Sequence, residues 1–111
     1  METNSLGPLA DALLAEARAG AHGRRSARTV YGGNGSALAQ TMIALLSGSS
    51  LSDHENPGHA TVLVVRGRVR LTAGEVLGEG TPFELLAVPE AVHGLEAVED
   101  SVILLTVARQ I

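Results

Sequence analysis

Short apolar segments recur about every ten residues with turn residues between them. This spacing constrains the fold of the 111-residue chain more than any other feature. The segments are clearest after position 59, in ATVLVV, RVRLT, FELLAV and SVILLTVAR. In RVRLT, Val69 and Leu71 alternate with two arginines, which is the period-two pattern of a half-buried strand. Glycines and prolines separate the segments, and no helical crossovers lie between them. The sequence therefore predicts an all-β sandwich or barrel of roughly seven to nine short strands.

The N-terminal region has a different period. Pro8 suits the first turn of a helix, and Gly20 suits its C-terminal end. Between them the apolar residues follow the i, i+3, i+4, i+7 spacing of an amphipathic helix, at Ala10, Leu13, Leu14 and Ala17. We therefore expect an N-terminal helix and arm over residues 1–27 and a barrel over residues 28–111.

The segment that follows, residues 20–36, is rich in glycine, serine and arginine. We interpret Arg24, Arg25 and Arg28 as part of a solvated loop, although an arginine cluster can also hold a carboxylate or phosphate. A short strand is expected only around Val30. The next apolar run, ALAQTMIALLSG, fits either a helix or a strand, because periodicity does not separate the two in a run of this length.

Composition excludes several classes of function. The net charge of −4 and the 2% aromatic content provide neither a basic footprint nor a stacking platform, so no nucleic-acid partner is expected. The lack of cysteine excludes disulfides and thiolate-ligated metals. Charged residues interrupt every long apolar window, and the N-terminus lacks the basic start of a secretory signal. We therefore expect a cytoplasmic protein with no membrane partner.

Three of the four histidines fall in two stretches, DHENPGHATV at 53–62 and VPEAVHGLEA at 88–97, and His22 is interpreted as a surface residue. These stretches resemble the first and second motifs of the cupin superfamily, and the resemblance extends over about residues 36–108. It implies a double-stranded β-helix, or jelly-roll barrel, with a short N-terminal α-helix. It also implies a divalent metal inside the barrel, held by the histidines and the glutamate of the motifs.

Of the four metal-ligand positions implied by the resemblance, two are occupied by a residue that the motifs use as a ligand. In the first motif, Gly67 matches the closing glycine and His54 matches the first histidine. Asn56 then stands at the second histidine, and Ala60 stands at the glutamate.

In the second motif, Pro89 and His93 match the proline and the histidine. Three further positions depart from the motif, at Phe83, Ala91 and Ala97.

Strand alternation bears on the remaining histidine. If His54 faces the barrel interior along an unbroken strand, Asn56 and Ala60 share its face and His59 points outward. A one-residue irregularity at Pro57–Gly58 would turn His59 inward and make it a third ligand.

The expected metal site therefore comprises His54, His93 and, conditionally, His59, and the expected metal is zinc, iron, nickel or manganese. The alternative is a metal-free pocket. In either case Asn56 and Gln40 are expected to line the pocket as hydrogen-bonding groups.

Two hypotheses for the function follow. The first is a barrel that binds a small molecule in its interior with a divalent metal, and the sequence does not decide whether such a site is catalytic. The second is a non-catalytic ligand-binding or interaction module with a degenerate, metal-free site, in which His54 and His93 merely bond each other.

Two surface features carry further expectations. The runs ATVLVV and SVILLTV are apolar on both faces, so a homodimer is expected to cover one of them. Arg66, Arg68 and Arg70 are expected to form an outward strip that protects a sheet edge.

Overall fold

The computed structural model describes residues 1–20, 23–54, 58–88 and 93–109, with the backbone alone described at residues 52–54, 76, 93 and 109. These residues form one helix and nine strands. The elements are α1 (Leu6–Arg18), β1 (Arg25–Gly32), β2 (Leu38–Leu45), β3 (Ser50–His54), β4 (Gly58–Arg66), β5 (Val69–Ala73), β6 (Val76–Gly80), β7 (Leu85–Ala87), β8 (His93–Ala97) and β9 (Ser101–Arg109). No helix in this part of the chain is long and apolar enough to cross a membrane.

The strands form two antiparallel sheets. The larger sheet has the order β1-β2-β9-β4-β7, and the smaller has the order β3-β8-β5-β6. The strand partners that are distant in sequence, such as β2 with β9 and β3 with β8, are typical of a jelly roll. The structure confirms the predicted all-β fold with one N-terminal helix.

The inter-sheet core consists of aliphatic side chains from both sheets. It buries alternate residues of each strand, as the period of two requires. On β5 these residues are Val69 and Leu71, as predicted, with exposed fractions of 0% and 6%. The other buried members are Ile43, Leu45, Val62, Val64, Val88, Leu95, Ala97 and Ile103.

A second core lies on the outer face of the larger sheet, beneath α1. The predicted helical stripe is buried there, at Ala10, Leu13, Leu14 and Ala17. It packs against Met42, Ala44 and Val65. Because α1 covers one face of β2 and the smaller sheet covers the other, β2 is apolar on both faces. This double cover explains why its sequence does not distinguish a strand from a helix.

The loop prediction for Arg25 and Arg28 is wrong, because both residues lie in β1. β1 pairs with β2 along its length, with one irregularity between Thr29 and Tyr31. The Arg28 guanidinium donates to Glu16 of α1 at 3.2 Å. Pairing with β2 therefore overrides the local preference of a glycine- and arginine-rich segment for a loop.

The expected arginine strip is also corrected. Arg68 and Arg70 donate to the two carboxylate oxygens of Glu79, at 2.7 and 3.3 Å. Arg66 belongs to the other sheet and lies 3.8 Å from Asp11 of α1. All three arginines therefore have carboxylate partners, and they lie on two different surfaces of the sandwich.

Candidate functional site

His54 and His93 occupy directly opposite positions in the ladder between β3 and β8. The register contains one irregularity, because three positions separate Leu51 from His54 whereas two separate their partners Leu95 and His93. The extra residue in β3 is a β-bulge, which bends a strand and shifts its register. Without it, the residue before His54 would pair with His93. We call this end of the sandwich the His end.

The larger sheet has small residues at the His end. Val107 of β9 pairs with Ala39 of β2 on one side and with Ala60 of β4 on the other. Ala60 is half-buried and packs against the inter-sheet core, and its carbonyl oxygen accepts a hydrogen bond from Val88 at 3.0 Å. The position that the cupin motif assigns to a carboxylate therefore lies on the inner face, as alternation predicted, but carries a methyl group.

Next to this row the interior is lined by aliphatic side chains. A cavity of about 20 Å³ remains between the sheets, which is enough for about one water molecule. Its lining is wholly aliphatic, with Leu51, Val62, Leu71, Val88, Leu95, Ile103 and Leu105. The walls of this cavity therefore offer no polar contact to a ligand.

His59 lies on the outer face of β4. It follows Gly58, the first residue of the strand, and its side chain is exposed. The irregularity considered at Pro57–Gly58 involves Pro57, which lies outside the described residues, and the structure shows a bulge in β3, before His54. His59 is thus on the face opposite the aliphatic interior.

Gln40 also lies on the outer face, although it was expected in the same pocket as the histidines. Its Nε2 donates to Thr106 Oγ1 at 3.2 Å, and it borders a groove of about 690 Å³ that also contains Tyr31 and Asn4. The groove could not be predicted from the sequence, because nothing in a run that is apolar on both faces marks which face is inner. Asn56, the other expected pocket residue, lies outside the described residues.

The described donors do not fit a tightly held metal ion. Protein metal sites usually supply three or more ligands. Within the described ranges, no three His, Cys, Asp or Glu side chains are grouped closely enough to hold a metal. Ala60 offers no donor atom, and His59 lies on the outer face. The pairing of His54 with His93 would supply two ligands at most.

The end of the sandwich opposite the His end, which we call the Ser101 end, is closed by hydrogen bonds. The Asp100 carboxylate accepts a hydrogen bond from the Ser47 backbone N–H at 2.8 Å and another from Arg18 at 3.1 Å. These two contacts, the Ser47 bond first, lower the pKa of Asp100 below its usual value. The buried Ser101 hydroxyl accepts the Arg68 N–H at 3.0 Å and donates to the Glu99 carbonyl at 2.7 Å.

Two further carboxyl groups with shifted pKa values serve local structure. The hydrogen bond from Arg68, supported by its charge, lowers the pKa of Glu79. The backbone N–H of Thr81 lowers the pKa of Glu84 in the turn before β7. Both groups are exposed and belong to ion pairs or turns, so neither has the environment of a catalytic acid.

Comparison with known proteins supports the fold. A cupin superfamily protein from Desulfitobacterium hafniense superposes with a TM-score of 0.70, 16% identity and coverage of 78% of each chain. A conserved protein of unknown function from Streptococcus pyogenes has a TM-score of 0.70 and 25% identity, covering 78% of this chain and 75% of its own. A cupin-2 domain containing protein from Shewanella frigidimarina has a TM-score of 0.63 and 16% identity, covering 76% of this chain and 80% of its own. No family model and no curated protein matches the sequence.

The structural neighbours and the strand order agree with the resemblance in the two histidine motifs. The similarity covers 78% of the chain in the first two comparisons, and at these identities it establishes architecture rather than activity. The chain therefore has the fold of the small cupin domains, a two-sheet jelly roll, with one N-terminal helix.

Proposed function

We propose that the protein binds a small, largely apolar molecule at the His end of the sandwich, with His54 and His93 as its polar contacts. The observation that carries the proposal is the pairing of these two residues across β3 and β8. Residues opposite each other in an antiparallel ladder lie on the same face of a sheet. On β8 the next alternate residues, Leu95 and Ala97, are in the inter-sheet core. Alternation therefore favours an inward position for both histidines.

The neighbouring residues support binding at this end. The row Ala39–Val107–Ala60 offers less side-chain volume than the row Ile43–Ile103–Val64 deeper in the same sheet. The side chains beyond this row are aliphatic, so they favour an apolar ligand at the His end. Two imidazoles supply hydrogen-bond donors and acceptors, and an ordinary imidazole exchanges its proton near pH ~6.5. The pair can therefore hold one polar group of the ligand and adapt its protonation to it.

Metal binding is the competing role for the same pair. Imidazole nitrogen suits zinc, nickel, copper and iron, but the donor set favours weak binding, since Ala60 replaces the carboxylate. We therefore propose that an organic molecule binds here without a metal ion. The second experiment below distinguishes this role from the binding of a divalent metal. Catalysis is not part of the proposal, because no described acid or base accompanies the pair.

The first experiment tests whether the two imidazoles share one environment. Ring nitrogen and carbon resonances of the histidines are assigned by NMR in the wild-type protein, His54→Ala and His59→Ala. We expect His54→Ala to shift the ring signals and the titration midpoint of His93. His59→Ala is the matched control and should leave His93 unchanged, because His59 lies on the outer face. If both variants leave His93 unchanged, the proposed site does not exist.

The second experiment tests the ligand. Aliphatic carboxylic acids, alcohols and amides of up to about eight carbons, each small enough for such a pocket, are titrated into the labelled protein. In separate samples, Zn²⁺ and Ni²⁺ are titrated alone. Shifts of His54 and His93 with an organic probe, abolished by His54→Ala, support the proposal. If only the metal ions shift these signals, the site binds metal and not an organic ligand. If no probe shifts them, ligand binding is contradicted, even when the first experiment shows that the two imidazoles are close.

A further inference from the structure

The sandwich is open along one side, where β1 and β3 form the edges of the two sheets. β1 pairs with β2 and packs against α1, so its outer face is covered. Ala27 lies opposite Ile43, a buried member of the inter-sheet core, and therefore points inward. Ala27 is nevertheless exposed. The smaller sheet has one strand fewer than the larger, and in the part of the chain that the structure describes it does not cover the inner face of β1.

A cleft of about 410 Å³ lies at this opening, within the usual range of about 300–1,000 Å³ for small-molecule sites. Ile43 and Leu51 form an apolar wall that continues the inter-sheet core. The Ser26 hydroxyl is turned away, because it donates to Glu16 on α1 at 2.6 Å. Arg25 is therefore the one residue of the described lining whose side chain can offer a polar contact. We call this opening the side cleft, and its described lining comprises Arg25, Ser26, Ala27, Ile43 and Leu51.

Arg25 differs from the other arginines because it lacks a partner. The structure describes the side chains of seven arginines, and six of them bind a carboxylate or a carbonyl oxygen. Nearby, Arg24 donates to the Ser47 carbonyl at 2.8 Å and Arg28 donates to Glu16 at 3.2 Å. Arg25 has no such bond to any described residue, and no acidic residue is in the described lining of the side cleft. A guanidinium in this position can bind a carboxylate through two parallel hydrogen bonds.

We propose that the side cleft binds an aliphatic monocarboxylate, with the carboxylate on Arg25 and the chain along Ile43 and Leu51. A neutral chain would leave the guanidinium without a partner. A small inorganic anion would leave the apolar wall in water, so the two features together select a molecule that is apolar at one end and anionic at the other. The site does not depend on the His end, because Arg25 pairs with Leu45, whose other partner is Ser101.

The experiment follows octanoate binding by NMR through labelled methyl groups of Ala27 and Ile43 in the full-length chain. We expect octanoate to shift both signals in the wild type. Arg25→Gln should weaken the binding at least about tenfold, because it removes a charge-assisted hydrogen-bonding group. Arg28→Gln is the matched control for the loss of one positive charge from the same strand. It should bind octanoate as the wild type does, because Arg28 lies on the outer face beside Glu16.

Two further probes separate the chain of the ligand from its charge. Octanol has the same chain without the carboxylate, and inorganic phosphate has the charge without the chain. Each should bind at least about tenfold more weakly than octanoate. If octanol binds as well as octanoate, Arg25 does not recognise the ligand. If phosphate does so, the apolar wall has no role. Either result overturns the proposal.

Two more variants complete the test. Ala27→Glu places a carboxylate within the side cleft at an exposed position, so it should also abolish the octanoate shift of Ile43 without disturbing the core. His54→Ala should leave the responses of Ala27 and Ile43 unchanged, which separates this site from the one proposed at the His end. The proposal is overturned by unshifted signals in the wild type, by equal losses in Arg25→Gln and Arg28→Gln, by binding retained in Ala27→Glu, or by a response that His54→Ala removes.

Discussion

The two ends of the same sandwich are built from different groups. At the Ser101 end, the large aliphatic residues of the inter-sheet core meet a closed set of hydrogen bonds around Ser101 and Asp100. At the His end, the larger sheet offers the small row Ala39–Val107–Ala60, opposite the paired positions His54 and His93. The strands are continuous between the ends. The difference therefore arises from side-chain size and polarity and not from a change in topology.

This contrast separates the residues that stabilise the fold from those that are available for binding. A fully packed, fully bonded end contributes stability because no volume is lost and no buried polar group is left unpaired. An end with small side chains has fewer packing contacts, so it is less stabilised and leaves room for another molecule. Substitutions at the two ends should therefore differ in their effects on stability and on binding.

Replacement of Gly67 by alanine should cause the largest loss of stability. Gly67 has a φ of 81°, and a Cβ there would collide with the Asp100 carbonyl and the Ser101 side chain. The conformation costs about 1–3 kcal/mol, and the forced displacement costs about 1–3 kcal/mol more. Urea unfolding of Gly67→Ala measures the sum.

Gly74→Ala is its matched control. Gly74 also has a positive φ, 59°, but no atom lies within 4 Å of an added Cβ. Gly74→Ala should therefore lose only the free energy that the left-handed backbone conformation costs, about 1–3 kcal/mol. Equal losses in the two variants would contradict the tight packing that we assign to the Ser101 end.

Replacement of Ser101 by alanine should destabilise the protein by about 1–3 kcal/mol. The change removes the Ser101 hydroxyl, which is fully buried and accepts the Arg68 N–H. Thr29→Ala, at an exposed position of β1, should change the stability by less than about 0.5 kcal/mol. Chemical denaturation of both variants checks the comparison, and a neutral Ser101→Ala would mean that the network does not stabilise this end.

Introduction of a carboxylate at Ala60 should raise the metal affinity of the His end. Ala60→Glu places a carboxylate at the motif position on the inner face, so we expect Ni²⁺ or Zn²⁺ to bind at least about tenfold more tightly, roughly 1.4 kcal/mol. Calorimetric titration measures the affinity. Leu77→Glu, on the smaller sheet, is the control for a carboxylate added elsewhere. If both variants bind metal equally, position 60 does not belong to the site.

Acidification should lower the stability of the protein through Asp100 by less than the substitutions above. The pKa of Asp100 is lowered by the Ser47 N–H and by Arg18. A lowered pKa in the folded state stabilises the protein above the group's ordinary value of 3.8, and that stability disappears as pH falls through the folded-state value. We therefore expect Asp100→Asn to reduce the dependence of stability on pH below about pH 4. Melting curves between pH 2 and 7 should show the two proteins converging at the acid end, and parallel curves would contradict this origin.

The parts of the fold that the sequence predicted are those that depend on local periodicity. Val69 and Leu71 alternate with arginines, and the structure buries both of them. The stripe on α1 packs as its spacing indicated. In β1 the strand expected around Val30 is present. The loop prediction for Arg25 and Arg28 was wrong, because pairing with β2 extends the strand over residues that favour a loop.

The candidate site was less predictable for a related reason. Gln40 lies in a run that is apolar on both faces, so alternation cannot tell which face is inner until α1 and the smaller sheet are in place. His54 and His93 were singled out by their motif positions. Their direct pairing depends on a bulge in β3 that leaves no mark in the sequence. That the protein forms a homodimer and binds a small molecule stays a prediction.

The amino-acid sequence alone determined that this chain forms a β-sandwich with one amphipathic helix, because those features follow from periods of two and 3.6 within single segments. The packing of distant segments sets which face of each strand is inner, which part of the outer face α1 covers, and that His54 lies opposite His93. These outcomes depend on strand register between segments that are distant in the chain. A shift of one residue, such as the bulge in β3, changes every pairing beyond it while leaving the local pattern intact.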